Sequence, residues 1–255
     1  MSAIPSISIV GAGNVAFHLG KAFSAAGIPV DRIWNRTFEK AAALARELGT
    51  RAAKEPEELA GSSLIICCAS DSALPELIPQ LSSIAPVATT SGTVDVLALE
   101  HQFPVGVFYP LQTFSGNRPA DFSTIPLFIE GSDLHTTELL LSLGKRLSHT
   151  VIELPAAKRA ELHIAAVFIN NFTNHMVDLG QQFLEKHDLS FEWLKPLLNE
   201  TIAKLGRQTA FEAQTGPARR NDTPTLEKHI AALDPEQAAL YKLISNSIQQ
   251  RYSRS

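Results

Sequence analysis

Apolar residues fall along this chain in two rhythms, and the change from one to the other divides it. Short, nearly continuous apolar runs over 7–10, 30–34, 63–68, 85–90, 105–109, 127–130 and 151–153 read as strands. Between the earlier ones lie segments whose apolar positions recur at threes and fours: Phe17, Leu19, Ala22 and Phe23, then 41–48 and 73–81, with Pro75 acceptable in a first turn, and later 135–147. Strands alternating with helices predict a doubly wound sheet that is parallel at least through its first half. After Pro155 the strand signal stops. One long helix is expected over 156–187, carried by Leu162, Ala165, Ala166, Ile169, Phe172, Met176, Leu179, Phe183 and Leu184. Ser190 then reads as the N-cap of a helix through Trp193, Leu197 and Leu205, and the last amphipathic helix runs over 235–250. The expected organisation is an α/β domain over 1–154 followed by an all-α domain over 155–255.

The first strand leads straight into Gly11-x-Gly13-x-x-Ala16. Glycine at the first two positions lets the backbone turn tightly and approach a pyrophosphate, and Ala16 lets the next helix lie close to the strand. The first N–H groups of that helix, from Asn14 and Val15 onward, would face the anion at the positive end of the helix dipole. This is the Rossmann-like arrangement, and it makes a dinucleotide the first candidate ligand.

The end of the second strand says which dinucleotide. A free ribose 2′-hydroxyl usually meets an Asp or Glu there, whereas this chain has Asn35-Arg36-Thr37. A carboxylate about 4 Å from a 2′-phosphate would cost roughly 1–4 kcal/mol, depending on how wet the site is. Asn35 removes that repulsion, Arg36 can pair with the phosphate and Thr37 can donate its hydroxyl, so NADP(H) is expected in preference to NAD(H). In a second reading Arg36 is merely solvated and Thr37 caps the following helix.

Ligands of such sheets sit beyond the carboxyl ends of the strands. That rule puts Gly11, Arg36, Ser70 and Ser91 on one rim, with Ala69, Ser70, Asp71, Ser91 and Gly92 leaving room for ribose and nicotinamide, or simply serving as turn residues. On the long helix, at about 100° per residue, His163, Asn170 and Asn174 fall within roughly 20° of one direction, with Asn171 beside them. An imidazole and carboxamides suit protonation and orientation of a carbonyl during hydride transfer, and equally suit a helix interface. Late in the chain Arg219 and Arg220 could hold a carboxylate or pair with Asp222 and Glu227.

Composition narrows the classes. With 255 residues, 45% hydrophobic and 19% charged, the chain can bury a large core, and a net charge of −4 advertises no nucleic-acid partner. Cys67 and Cys68, adjacent in an apolar run, suit core packing rather than a disulfide framework or a metal site, as in a reducing compartment. No apolar run reaches the roughly 18 residues a bilayer requires, and the N-terminus goes directly into the first strand, so a soluble cytoplasmic protein is expected.

Taken together, Gly11-x-Gly13-x-x-Ala16, Asn35-Arg36-Thr37, Ser91-Gly92, 109–114 (YPLQTF), His163-x-Ala165-Ala166-Val167-Phe168-x-x-Asn171 and Gly216-Pro217-x-x-Arg220-x-Asp222-x-x-Thr225-x-x-x-His229 resemble the bacterial family in which a Rossmann-like domain precedes a DUF2520 domain. The first domain is similar to F420-dependent NADP reductases, pyrroline-5-carboxylate reductases and beta-hydroxyacid dehydrogenases, and an alternative type of ketopantoate reductase resembles both domains. The resemblance implies NADPH-dependent reduction of a small 2-keto acid held between the domains. It implies roles for His163 as proton donor, for Asn171 in orienting the carbonyl, and for Ser91, Gly92, Asn170, Arg220, Asp222 and His229 around the substrate. Asn221 stands where the family has glycine, a position an αL backbone would tolerate, and Lys158 is followed by Leu162 rather than by an Asn, so no lysine role is carried over. A homodimer through the C-terminal helices is expected. Two other readings stay open: an NADP(H)-binding sensor or assembly protein without turnover, and an imine reductase of the pyrroline-5-carboxylate reductase type.

Overall fold

The computed structural model describes residues 6–116 and 120–253. They form two compact units, Met1–Asn171 and Phe172–Ser255. In the first, β1 (Ile7–Val10), β2 (Val30–Trp34), β3 (Arg51–Ala52), β4 (Leu64–Cys67), β5 (Val87–Thr89), β6 (Val105–Pro110), β7 (Leu127–Gly131) and β8 (Val151–Glu153) make one sheet ordered β3-β2-β1-β4-β5-β6-β7-β8. All pairings are parallel except β6 with β7. The chain winds from β1 outward to β3, then returns to place β4 on the other side of β1, so the strand order reverses at β1 and β4. That reversal opens a crevice at their carboxyl ends.

The apolar runs are continuous because both sheet faces are covered. Successive side chains alternate: Ile7, Ile9, Leu64 and Ile66 pack on one face with Leu19, Phe23 and Leu140, while Val10, Ile65 and Cys67 pack on the other with Leu74, Ile78 and Leu81. Helices α1 (Asn14–Ala25), α2 (Phe38–Leu48), α3 (Leu74–Ser82) and α4 (Leu134–Lys145) supply those covers. α1 and α2 approach closely enough that a methyl on Gly20 would sit 2.3 Å from a Leu48 terminal carbon. Strand β3 escaped the sequence reading because two residues, Arg51 and Ala52, carry no readable alternation. Both cysteines are buried or half-buried free thiols, and burial pushes the Cys67 thiol up to about 11.

The single helix expected over 156–187 is corrected. Helix α5 (Ala156–Ala166), grouped with the first unit, passes into a π-helical stretch (Val167–Phe172) before α6 (Thr173–Glu185). The periodicity holds on either side but cannot register a widened turn, in which each N–H reaches one residue further back.

The second unit is helical, completed by α7 (Lys195–Leu205), α8 (Ala210–Ala213), α9 (Thr223–Ala231) and α10 (Pro235–Ser253). Ser190 caps a short 3₁₀ turn (Phe191–Leu194) ahead of α7 rather than α7 itself. Among the described residues of this unit only Ala218, Leu226 and Ser245 are buried, while Trp193, Leu197, Ile202, Leu205 and Leu243 are at least half exposed.

Candidate active site

The first glycine turn is built as its sequence requires. Gly11 has φ +105°, a region L side chains rarely adopt, and a Cβ there would lie 2.9 Å from the Cys68 carbonyl oxygen. Its N–H donates to the Trp34 carbonyl at 2.8 Å, and the Cys68 N–H donates to the Val10 carbonyl at 2.7 Å, which locks the turn between β2 and β4. Gly13 occupies the N-cap of α1, where a Cβ would meet nothing within 4 Å. No acidic residue sits in the first turn of α1, so nothing offsets the positive end of its dipole. The Asn14 amide donates to the Phe114 carbonyl at 3.0 Å, so only its backbone N–H faces the turn, while Val15 packs against the core.

At the end of β2 the Asn35 amide closes its own turn by donating to the Thr37 carbonyl at 3.0 Å. Thr37 stands at the N-cap of α2, yet its hydroxyl makes no capping bond, and Arg36 is exposed with no partner among the described residues. Thr37 thus holds the cap position through its backbone carbonyl alone, and a cation and a hydroxyl stand side by side with capacity to spare. An open helix N-terminus beside that pair fits a dinucleotide carrying an extra phosphate.

Further along the rim, Ser70 and Ser72 hydroxyls lie 3.2 Å apart beyond Ala69, and the Asp71 carboxylate accepts a short hydrogen bond from Thr93. The Ser91 hydroxyl oxygen is already engaged, accepting the Thr93 and Val94 N–H groups at 3.2 and 3.0 Å; it shapes the turn and has only its O–H to offer a ligand. Next to it Gly92 is the point on which the site closes. A Cβ on Gly92 would be 2.7 Å from both His163 Nδ1 and Tyr109 Cζ, and those two side chains are themselves joined by a 3.0 Å hydrogen bond between Oη and Nδ1. The loop after β5, the end of β6 and α5 thus converge on one imidazole.

In the sequence Tyr109 is only one letter of a motif; the structure makes it a partner of the imidazole. Burial pushes its phenol up, the Asp71 charge adds to this and the buried Arg159 opposes it, so the hydroxyl keeps its proton at neutral pH. His163 and Tyr109 border a cleft of about 390 Å³ lined also by Gln112, Thr113, Asn170 and Asn171 with a few apolar side chains. Both asparagines belong to the π-helical stretch, so the stripe drawn at α-helical spacing does not pass through it unchanged.

In the second unit the late motif has local partners. Asp222 caps α9, accepting the Thr225 N–H at 3.3 Å and its hydroxyl at 2.8 Å, and His229 Nδ1 bonds Tyr241 Oη at 2.8 Å. Arg219 stacks over Tyr252 at 4.1 Å, so the two arginines are not equivalent; Arg220 is exposed with no side-chain partner among the described residues. Asn221 is left-handed at φ +53°, a conformation asparagine tolerates.

Known proteins share this fold. The family "NADP oxidoreductase coenzyme F420-dependent" matches residues 6–98, and the family "Domain of unknown function (DUF2520)" matches 125–248. A structure named putative NADP oxidoreductase, from Bacteroides fragilis, is 35% identical, with a TM-score of 0.90 over 96% of this chain and 98% of that one. The chain belongs to this NADP oxidoreductase family. The same fold, at lower identity, is found in a reductive aminase from Aspergillus terreus (18%, TM-score 0.69, 97% of this chain and 95% of that one). It is found too in a pyrroline-5-carboxylate reductase from Coxiella burnetii (14%, TM-score 0.58, 99% and 98%). No curated protein matches the chain. Among the described residues, no helix is long and apolar enough to cross a membrane.

Proposed function

We propose that this oxidoreductase uses NADPH to reduce the C=O bond of a small carbonyl acid, with 2-keto acids of the ketopantoate type first among candidates. The observation that carries the reading is the His163–Tyr109 pair closed over Gly92 at the strand ends and bordering the carboxamide-lined cleft. Gly11, Gly13 and the N–H groups of Asn14 and Val15 would hold the pyrophosphate, Asn35, Arg36 and Thr37 the 2′-phosphate, and Ala69, Ser70 and Asp71 the ribose side. The bound nicotinamide supplies the hydride. His163 gives a proton to the carbonyl oxygen as charge develops there, and Asn171, with Asn170, donates hydrogen bonds that orient that oxygen. A protonated Tyr109 that donates to Nδ1 leaves the imidazole proton on Nε2; as Nε2 delivers it, Nδ1 takes the Tyr109 proton, so the imidazole stays neutral and the phenol is reprotonated from solvent. Arg220, Asp222 and His229 belong to the same proposal as substrate-binding groups.

A second reading, an imine in place of the carbonyl, is favoured by one observation: among the described residues no Lys or Arg lines the cleft, and the Asp71 charge acts on Tyr109. Such surroundings suit a neutral or cationic C=N group better than a carboxylate. The thin core of the helical unit and its exposed apolar side chains support a homodimer through these helices, and the free buried thiols support a cytoplasmic setting. Loss of NADPH absorbance with ketopantoate and with a cyclic imine tests the proposal. Turnover of either by the natural protein, with His163→Ala mainly lowering kcat, supports it; NADPH binding without turnover of any carbonyl or imine would favour a sensor instead.

A further inference from the structure

We propose that Arg159 and Glu130 are positioning residues that hold His163 against Tyr109; the link to catalysis rests on the reading of His163 given above. Arg159 is fully buried, and the Glu130 side chain is 15% exposed. Their ion pair joins Arg159 Nη1 to Glu130 Oε2 at 2.5 Å. A buried pair of this kind is commonly no more stable than its apolar replacement, so stability alone gives no reason for it.

What it does is join the elements that converge on the imidazole. Arg159 Nη2 donates to the Val94 carbonyl at 3.0 Å, two residues past Gly92, and Nη1 also reaches the Leu154 carbonyl at 3.3 Å. Glu130 Oε1 accepts the Ala156 N–H at 3.1 Å, at the first residue of α5. Glu130 sits on β7, which pairs with the strand carrying Tyr109 through the Tyr109–Phe128 register. The β5 loop, β7 and the start of α5 are thereby fixed to one another by a single planar fork, a geometry lysine cannot reproduce. His163 is one helical turn beyond Arg159, on the same face of α5. Rotation or sliding of α5 would move His163 off the Tyr109 hydroxyl, and the Arg159–Glu130 tie opposes both.

The test is the double variant Arg159→Met/Glu130→Leu, which leaves no orphaned charge, read beside Arg159→Lys. Thermal melting and NADPH binding establish folding, and ¹⁵N NMR of the His163 ring reads its hydrogen bond whether or not a substrate has been found. The expected result is a folded protein with NADPH affinity within about twofold of the natural chain. His163 Nδ1 should lose its hydrogen-bonded shift, kcat should fall about tenfold or more at nearly constant substrate KM, and Arg159→Lys should recover part of both losses. An unchanged His163 ring signal and kcat in a folded double variant would overturn the proposal and leave the pair a structural tie. Should the double variant fail to fold, Arg159→Lys decides in the same way: an unperturbed ring signal and kcat in it would overturn the proposal. Absence of turnover in the natural protein would count against the reductase reading, and the ring signal would still decide this one.

Discussion

Gly92→Ala isolates the site geometry with one methyl group. The new Cβ would stand 2.7 Å from His163 Nδ1 and from Tyr109 Cζ, where comfortable contact needs about 3.4–3.5 Å. Tyr109 is buried on β6 and α5 is tied down at Ala156 and Arg159, so the strain falls on the half-buried His163 ring and its bond to Tyr109. Relief therefore requires a shift of about 0.7 Å shared between the two rings. If most of that fell on the 3.0 Å hydrogen bond, it would open to about 3.7 Å, beyond useful length. Overpacking of this kind costs about 1–3 kcal/mol, a fall of a few degrees in Tm, and a displaced proton donor costs roughly 10- to 100-fold in kcat. The nucleotide turn at Gly11 and Gly13 is untouched, so NADPH affinity should hold. Stopped-flow or steady-state NADPH oxidation, with melting and fluorescence titration of NADPH, reads all three. Gly92→Ala turning over at the natural rate would refute the convergence argument.

Other predictions are independent of that one. Arg36→Ala should raise KM for NADPH by roughly 10- to 100-fold, the value of one or two charge-assisted hydrogen bonds, and leave NADH kinetics alone; equal effects on both would remove the 2′-phosphate assignment. Asp133→Ala should destabilise by about 1 kcal/mol in denaturant melts, because its carboxylate caps α4 through the Thr136 N–H at 2.8 Å. The carboxylates of Asp133, Asp121 and Asp234 are held below their usual range chiefly by backbone and hydroxyl hydrogen bonds. With folded values below unfolded ones, their stabilisation is complete above about pH 4–5 and is lost as pH falls through the folded values. Cys67 and Tyr109 are shifted upward, so stability should also decline above about pH 9, and a Tm still rising there would contradict the burial argument.

Much of the first unit was legible because its apolar runs and glycine turn are local consequences of local residues. Gly11 needed a positive φ and has one; in the second unit, Asn221 occupies the left-handed region its side chain tolerates. The proposed nucleotide half of the site is drawn from the same rules, Asn35 and Arg36 standing at a strand end that topology places on the rim. The reacting half was less readable. Tyr109 looks like any strand aromatic until α5 brings His163 onto it, and the meaning of Gly92 depends on both. Arg159 gave one usable signal, its place four residues before His163 on the same helix face, but its partner Glu130 lies on a distant strand and is joined to it by tertiary packing. The π-helical stretch containing Asn170 and Asn171 was invisible, since its widened turn leaves the flanking periodicity intact.

The most direct measurement is NADPH oxidation by the natural protein and by His163→Ala across ketopantoate, other 2-keto acids and a cyclic imine. The account predicts turnover of at least one of these, with His163→Ala binding NADPH normally and losing roughly 10²- to 10⁴-fold in kcat. Turnover that survives intact in His163→Ala would contradict it, and would move the proton donor elsewhere in the site.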